Sequence, residues 1–287
     1  MEFYDVPLRV ESNPRENVTN ILLERVKKNP SHPLFSRKNQ DGSWRNVTSA
    51  EFLSEVQTLA KGLIASGIKP GDAVALMSRT RYEWTMIDFA VWFAGGVVVP
   101  IYETSSPQQI EWILSDSDSV AVFIENDDHL VRVNQVKGKC PRLSQIWRID
   151  SKDFSDLHQL GAKVSDADLE VARSNAEAKD LATIVYTSGT TGNPKGCELT
   201  HKSFVDHCRN AAAEIPEIAN EQQHSLIFVP FAHILGRYVA VICIYAGIRV
   251  GHLPDTKLVA AELPVFHPTF LLAVSYTHLT LPTILRV

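Results

Sequence analysis

The sequence predicts an α/β fold of layered, largely parallel sheets with flanking helices, and three observations carry that expectation. Residues 73–77 and 97–101 are apolar at almost every position, as strands covered on both faces must be. Stretches with apolar residues at helical spacing stand between such runs, which is the order of βαβ units. No internal repeat or low-complexity tract interrupts the alternation.

Each element has a local reason. The first residues, to about Arg15, show no clear period. Asn17 is placed to cap a helix with Val18, Ile21, Leu22 and Val26 on one face, ended by Asn29-Pro30. Residues 34–47 alternate loosely around Asp41-Gly42, a hairpin signal, with Trp44 as a packing residue. Thr48 or Ser49 opens a second helix, with Phe52, Val56, Leu59 and Leu63 inward and Gly67 closing it before the strand at 73–77. Residues 82–94 return to helical spacing and stop at Gly95-Gly96, and the strand at 97–101 follows. Ser106-Pro107 starts a helix, because proline is tolerated in a first turn, and residues 119–124 form the next strand. From 125 to 180 the signal weakens to a short apolar run at 145–149 and a charged stretch, expected as a surface excursion. Residues 181–186 are a buried strand; Thr200 caps a helix through Ala213; residues 226–230 are a strand. Residues 238–248 are a core helix or strand pair, and further apolar structure follows to 274.

Composition excludes some functions. A net charge of −5 without a long basic run gives no general attraction to nucleic acid, so an anionic ligand must be met by a local site. The four cysteines form no C-x-x-C pair and no secretory leader pattern opens the chain, which points to a reducing cytoplasm and to buried or incidental thiols. Cys197, His201, His207 and Cys208 lack the paired spacing of a zinc site. The apolar run at 238–248 falls short of the roughly 20 residues of a membrane span. Peripheral membrane contact stays open.

The chemistry concentrates at YTSGTTGNPKG, residues 186–196, where a strand stops and a loop of hydroxyls, glycines and one lysine begins. Gly189 and Gly192 permit a sharp turn and close approach to a ligand. Thr187, Ser188, Thr190 and Thr191 offer hydroxyls and amides to phosphate oxygens, and Lys195 adds a cation. A plain turn between two strands is the bland alternative. A Walker loop is excluded, because it needs Gly-Lys-Ser/Thr entering a helix, whereas Pro194 precedes Lys195 and Gly196 follows it.

With all ten specified positions of its Tyr-Thr-Ser-Gly-Thr-Thr-Gly-x-Pro-Lys-Gly pattern matched, this stretch resembles the phosphate loop of the adenylate-forming superfamily: acyl-CoA synthetases, luciferases and peptide-synthetase adenylation domains. The segment VPFAHILGR, residues 229–237, is similar to its long-chain acyl-CoA synthetase branch, in which the histidine or aromatic lies beside the acyl channel. His233 is therefore a substrate-pocket candidate, while Arg237 is expected to be structural and His201 to pack or hydrogen-bond at a helix start. VPIYETSSP, residues 99–107, also resembles that branch, as a marker that shapes a strand-to-helix junction.

The resemblance implies a ligase that uses ATP, Mg2+ and coenzyme A on a fatty acid, with no covalent nucleophile in the protein. Lys195 and the loop amides would hold the β- and γ-phosphates, and Thr190 would help ligate magnesium. It also implies that residues 1–274 are an incomplete large N-terminal adenylate-forming domain. The motifs Tyr-Gly-x-Thr-Glu and Thr-Gly-Asp and the C-terminal lobe with its lysine are not found, so these residues alone are expected to be inactive. Residues 275–287 leave the family pattern and are expected to be foreign read-through. Two other readings remain: an adenylating enzyme for aryl or amino acids, and a noncatalytic nucleotide-binding module.

Overall fold

The computed structural model describes residues 8–39, 41–187 and 193–273. Ten strands and ten α-helices follow one another within them: α1 (Val18–Lys28), β1 (Pro33–Lys38), β2 (Trp44–Thr48), α2 (Ser49–Ala65), β3 (Ala73–Met77), α3 (Tyr82–Phe93), β4 (Val97–Ile101), α4 (Pro107–Asp116), β5 (Ala121–Ile124) and α5 (Asp127–Val136). Then come β6 (Gln145–Arg148), α6 (Lys152–Leu160), α7 (Asp166–Ser174), β7 (Leu181–Thr187), β8 (Lys195–Thr200), α8 (His201–Glu214), β9 (His224–Ile227), α9 (Ile234–Ala246), β10 (Arg249–His252) and α10 (Val259–Phe266). The starts of α1, α2, α4 and α8 are those the sequence announces. Asn17, Thr48 and Ser106 each accept from a backbone amide in the first turn, and Asn20, Glu51 and Gln109 reach back to close capping boxes.

Two sheets form. One has the order β6-β5-β3-β4-β7-β8, parallel except for β8, which runs antiparallel to β7. The other has the order β2-β1-β10-β9, with β1, β10 and β9 parallel and β2 returning antiparallel from the Asp41-Gly42 hairpin. Alternate residues of β3 divide between two cores. Val74 and Leu76 pack with α1, α2, α3, α8 and α9 between the sheets, whereas Ala73, Ala75 and Met77 pack outward with Ile110, Ile113 and Leu114 of α4 and Val133 of α5. Phe35, Val47, Ile227 and Val250 of the second sheet join the inner core. Leu226, Phe228, Val259 and Phe266 build a third core beneath α10. The layers are thus helix, sheet, helix, sheet, helix.

The expected surface excursion at 125–180 is corrected. It holds α5, β6, α6 and α7, with β6 the edge strand of the larger sheet and Leu157 and Leu169 in the inner core. Each helix there spans only 9 or 10 residues, so few apolar positions mark it. The run at 238–248 resolves into the end of α9 and the turn into β10, the helix ending on Gly247 at φ 78°. Trp44 packs edge-on against Phe266 and donates its indole N–H to Glu262. Among the described residues no helix is long and apolar enough to cross a membrane.

Candidate functional site

The winding of the larger sheet runs from β3 to β4 through α3 on the inner face, then back past β3 to β5 through α4 on the outer face. Such reversals open crevices beyond the carboxyl ends of parallel strands, where α/β proteins bind ligands. A cleft of ≈ 480 Å³ lies there, at the ends of β4 and β7. Tyr102, Thr104 and Ser105 line it after β4, Gln109 and Ile113 from α4, and Val185, Tyr186 and Thr187 from β7. Pro194, His233 and Ile234 complete the lining. Among the described residues its lining holds hydroxyls, one amide and one imidazole, and no carboxylate.

The loop of residues 186–196 joins β7 to β8 as a hairpin. Its strands are registered Val185 with Cys197, Tyr186 with Gly196 and Thr187 with Lys195, so Thr187 and Lys195 face each other at its mouth. Ser188, Gly189, Thr190, Thr191 and Gly192 lie outside the described residues. Thr187 lines the cleft; Lys195, beside the lining residue Pro194, is exposed and forms no ion pair among the described residues. The Tyr186 phenol donates to Asp116 Oδ2 at 2.7 Å, and burial together with that carboxylate pushes its pKa up, so it stays protonated.

His233 lines the same cleft as the N-cap of α9. Its Nδ1 accepts from Leu235 N at 3.2 Å, which leaves Nε2 for a ligand. One helical turn on, Arg237 is buried and donates twice to Asp88 of α3, at 2.8 and 2.7 Å, and once to Thr183 of β7, at 2.6 Å. Burial pushes the Asp88 carboxyl up and the guanidinium opposes it. Arg237 therefore ties α9 to the larger sheet beneath the cleft. His201 is buried at the start of α8, where its Nδ1 accepts from Val18 N at 3.3 Å and burial pushes its pKa down to about 4. Cys197 is exposed and Cys208 buried, and no group of three or more potential metal ligands gathers among the described residues.

The structure brings Thr187 and His233 to one cleft and sets Lys195 at its edge. Residues 99–107, expected only to shape a strand-to-helix junction, also supply Tyr102, Thr104 and Ser105 to the wall. The signal was present as hydroxyls directly after a parallel strand, where ligand sites occur. Residues 275–287, expected to be foreign, lie outside the described residues.

Residues 22–281 match the family described as AMP-binding enzyme. The long-chain-fatty-acid–CoA ligase FadD15 of Mycobacterium bovis is 36% identical over 277 residues, covering 96% of this chain and 46% of that protein. The chain spans about half the length of the curated relatives it matches. A crystal structure of a long-chain-fatty-acid–CoA ligase, FadD1 of Archaeoglobus fulgidus, superposes with a TM-score of 0.77 at 17% identity, over 93% of this chain and 53% of that one. The N-terminal domain of FACL13 from Mycobacterium tuberculosis superposes at 0.72 with 20% identity, over 86% and 60%. The fold is that of the N-terminal domains of adenylate-forming enzymes, and with the family match over 22–281 the chain belongs to the AMP-binding enzymes.

Proposed function

We propose that this chain is the ATP-binding part of a long-chain fatty-acid–CoA ligase. The fatty-acid carboxylate attacks the α-phosphate of ATP, forming an acyl-adenylate and releasing pyrophosphate. The thiol of coenzyme A then attacks the acyl carbonyl, loses its proton and displaces AMP. The observation that carries the reading is the one cleft lined both by the hairpin, through Tyr186, Thr187 and Pro194, and by His233 and Ile234. A lining that, among the described residues, has hydroxyls and an amide without carboxylate fits a polyphosphate, which negative neighbours would repel.

Lys195 would stabilise negative charge on the departing pyrophosphate, and Thr187 with the loop hydroxyls and amides would orient the chain of phosphates. Magnesium would enter with ATP, keeping phosphate oxygens and waters as ligands, so a hydroxyl such as that of Thr190 suits it better than a closed cage. His233 would border the acyl group. The similarity to long-chain ligases supports a fatty acid as the substrate, and the three buried, unpaired thiols agree with a reducing cytoplasm.

The test is ATP–pyrophosphate exchange by the full-length protein. Exchange should require a long-chain fatty acid, and Lys195→Ala should lower kcat/KM for ATP about 100-fold while moving the melting temperature little, since the side chain is exposed. Exchange driven by an aryl acid or amino acid instead would replace the substrate; none with any carboxylate would leave only a nucleotide-binding role.

A further inference from the structure

The helix α4 forms one wall of the cleft through Gln109 and Ile113, and the same helix grips the hairpin that carries Lys195. The Trp112 indole Nε1–H donates to the Pro194 carbonyl at 2.8 Å. One turn on, Asp116 Oδ2 accepts from the Tyr186 hydroxyl at 2.7 Å. Residues four apart on a helix share a face, so the two side chains reach the two strands of one hairpin from one surface. Tyr186 holds the strand entering the loop and Pro194 the segment leaving it.

The grip acts on a defined peptide plane. Pro194 has no N–H, so its carbonyl is the one backbone handle it offers. That carbonyl is coplanar with the amide nitrogen of Lys195, and a hydrogen bond to it sets the orientation in which the lysine leaves the hairpin. Gly196 completes the fit. A Cβ there would lie 2.8 Å from Ile184 Cγ2, 3.3 Å from Tyr186 Cζ and 3.4 Å from Tyr186 Oη, so the phenol crosses the opposite strand over a residue without a side chain to reach Asp116.

Resting on the ligase reading above, we infer that Trp112 and Asp116 are positioning residues for the adenylation step, a clasp that presents Lys195 to the β- and γ-phosphates of ATP. Neither touches the reacting atoms. A clasp of this kind affects ligands that reach the lysine and spares those that do not. AMP lacks the β- and γ-phosphates and serves as the internal control.

The decisive variant is Trp112→Phe in the full-length protein, which keeps an aromatic ring against the outer core and removes the N–H donor with the smaller part of the indole. Losing one hydrogen bond of ordinary strength should raise KM for ATP about three- to tenfold. KM for fatty acid and the inhibition constant of AMP should stay within about twofold, with the melting temperature within a few degrees. Asp116→Ala should act in the same way, and Asp116→Asn, which still accepts from the phenol, should restore most of the loss. Calorimetric titration of MgATP reads the clasp without turnover: weaker binding to Trp112→Phe than to wild type supports it, and equal binding overturns it. A uniform fall for every ligand with a lowered melting temperature would also overturn it, by making the contacts merely structural. Wild type that binds MgATP but makes no acyl-CoA would sink the ligase reading alone, and the titration would still decide the clasp.

Discussion

His233 does two jobs that substitution can separate. Its Nδ1 caps α9 by accepting from Leu235 N, while the ring borders the cleft. Asparagine caps a helix as well as any residue, so His233→Asn should keep stability and change KM for the fatty acid several-fold, whereas His233→Ala should also lose about 1 kcal/mol of unfolding free energy. Denaturant titration beside steady-state kinetics tests this, and equal stability of the two variants would refute the capping role. His201 makes a different prediction, in pH. Burial holds its pKa down to about 4, and its Nδ1 must stay unprotonated to accept from Val18 N. A folded-state value below the ordinary 6.5 means that the unfolded chain takes up the proton first as pH falls. Stability is therefore complete above about pH 6.5 and declines towards pH 4, by on the order of 3 kcal/mol for this residue. His252, pushed down to about 3 by burial, acts in the same sense. Melting temperatures from pH 7 to 5 should fall, and His201→Asn should flatten the slope; an unchanged slope would reject the assignment.

At the scale of elements, α6 and the turn after it come onto α2 by close backbone approach, beside the buried side chains they contribute. A Cβ on Gly62 of α2 would run into the Leu157 carbonyl oxygen of α6, and one on Gly161 would come within 2.5 Å of Gly62 N. Neither neighbour is a flexible side-chain end. Gly62→Ala should therefore cost about 3 kcal/mol, against the gain in helix propensity an exposed site would show. A stability equal to or above wild type would mean that α6 does not sit directly on α2. The hydrophobic period at 125–180 is weak because each short element contributes few buried side chains, such as Val133 of α5, Trp147 of β6, Leu157 of α6 and Leu169 of α7, to cores supplied mainly by others.

Across the whole molecule, the buried Arg237–Asp88 pair joins a helix that follows the smaller sheet to a helix and a strand of the larger one. The guanidinium lies 5.5 Å from the Trp92 ring and 5.4 Å from the Phe204 ring, so water cannot replace a lost partner there. Arg237→Met should destabilise by about 3–5 kcal/mol through the stranded carboxylate, and adding Asp88→Leu should recover more than half. Equilibrium unfolding of single and double variants reads this directly, and a single variant within about 1 kcal/mol of wild type would contradict it.

Local information was enough for most elements and for the loop. Caps at Asn17, Thr48, Ser106 and Thr200, all-apolar strands at 73–77 and 97–101, and the run at 186–196 act over a few residues, so they are readable without partners. The sequence thereby determined the fold class, the starts of α1, α2, α4 and α8, and where in the chain the loop of hydroxyls, glycines and lysine lies. Tertiary structure alone brings Tyr102, Thr104 and Ser105 to one cleft with Thr187 and His233, from positions up to 131 residues apart. It also decided that Trp112 and Asp116 hold the hairpin, and that Arg237 finds Asp88 across 149 residues of sequence. Such contacts depend on strand order, and strand order follows from how all the windings together bury their apolar faces, which no local period encodes.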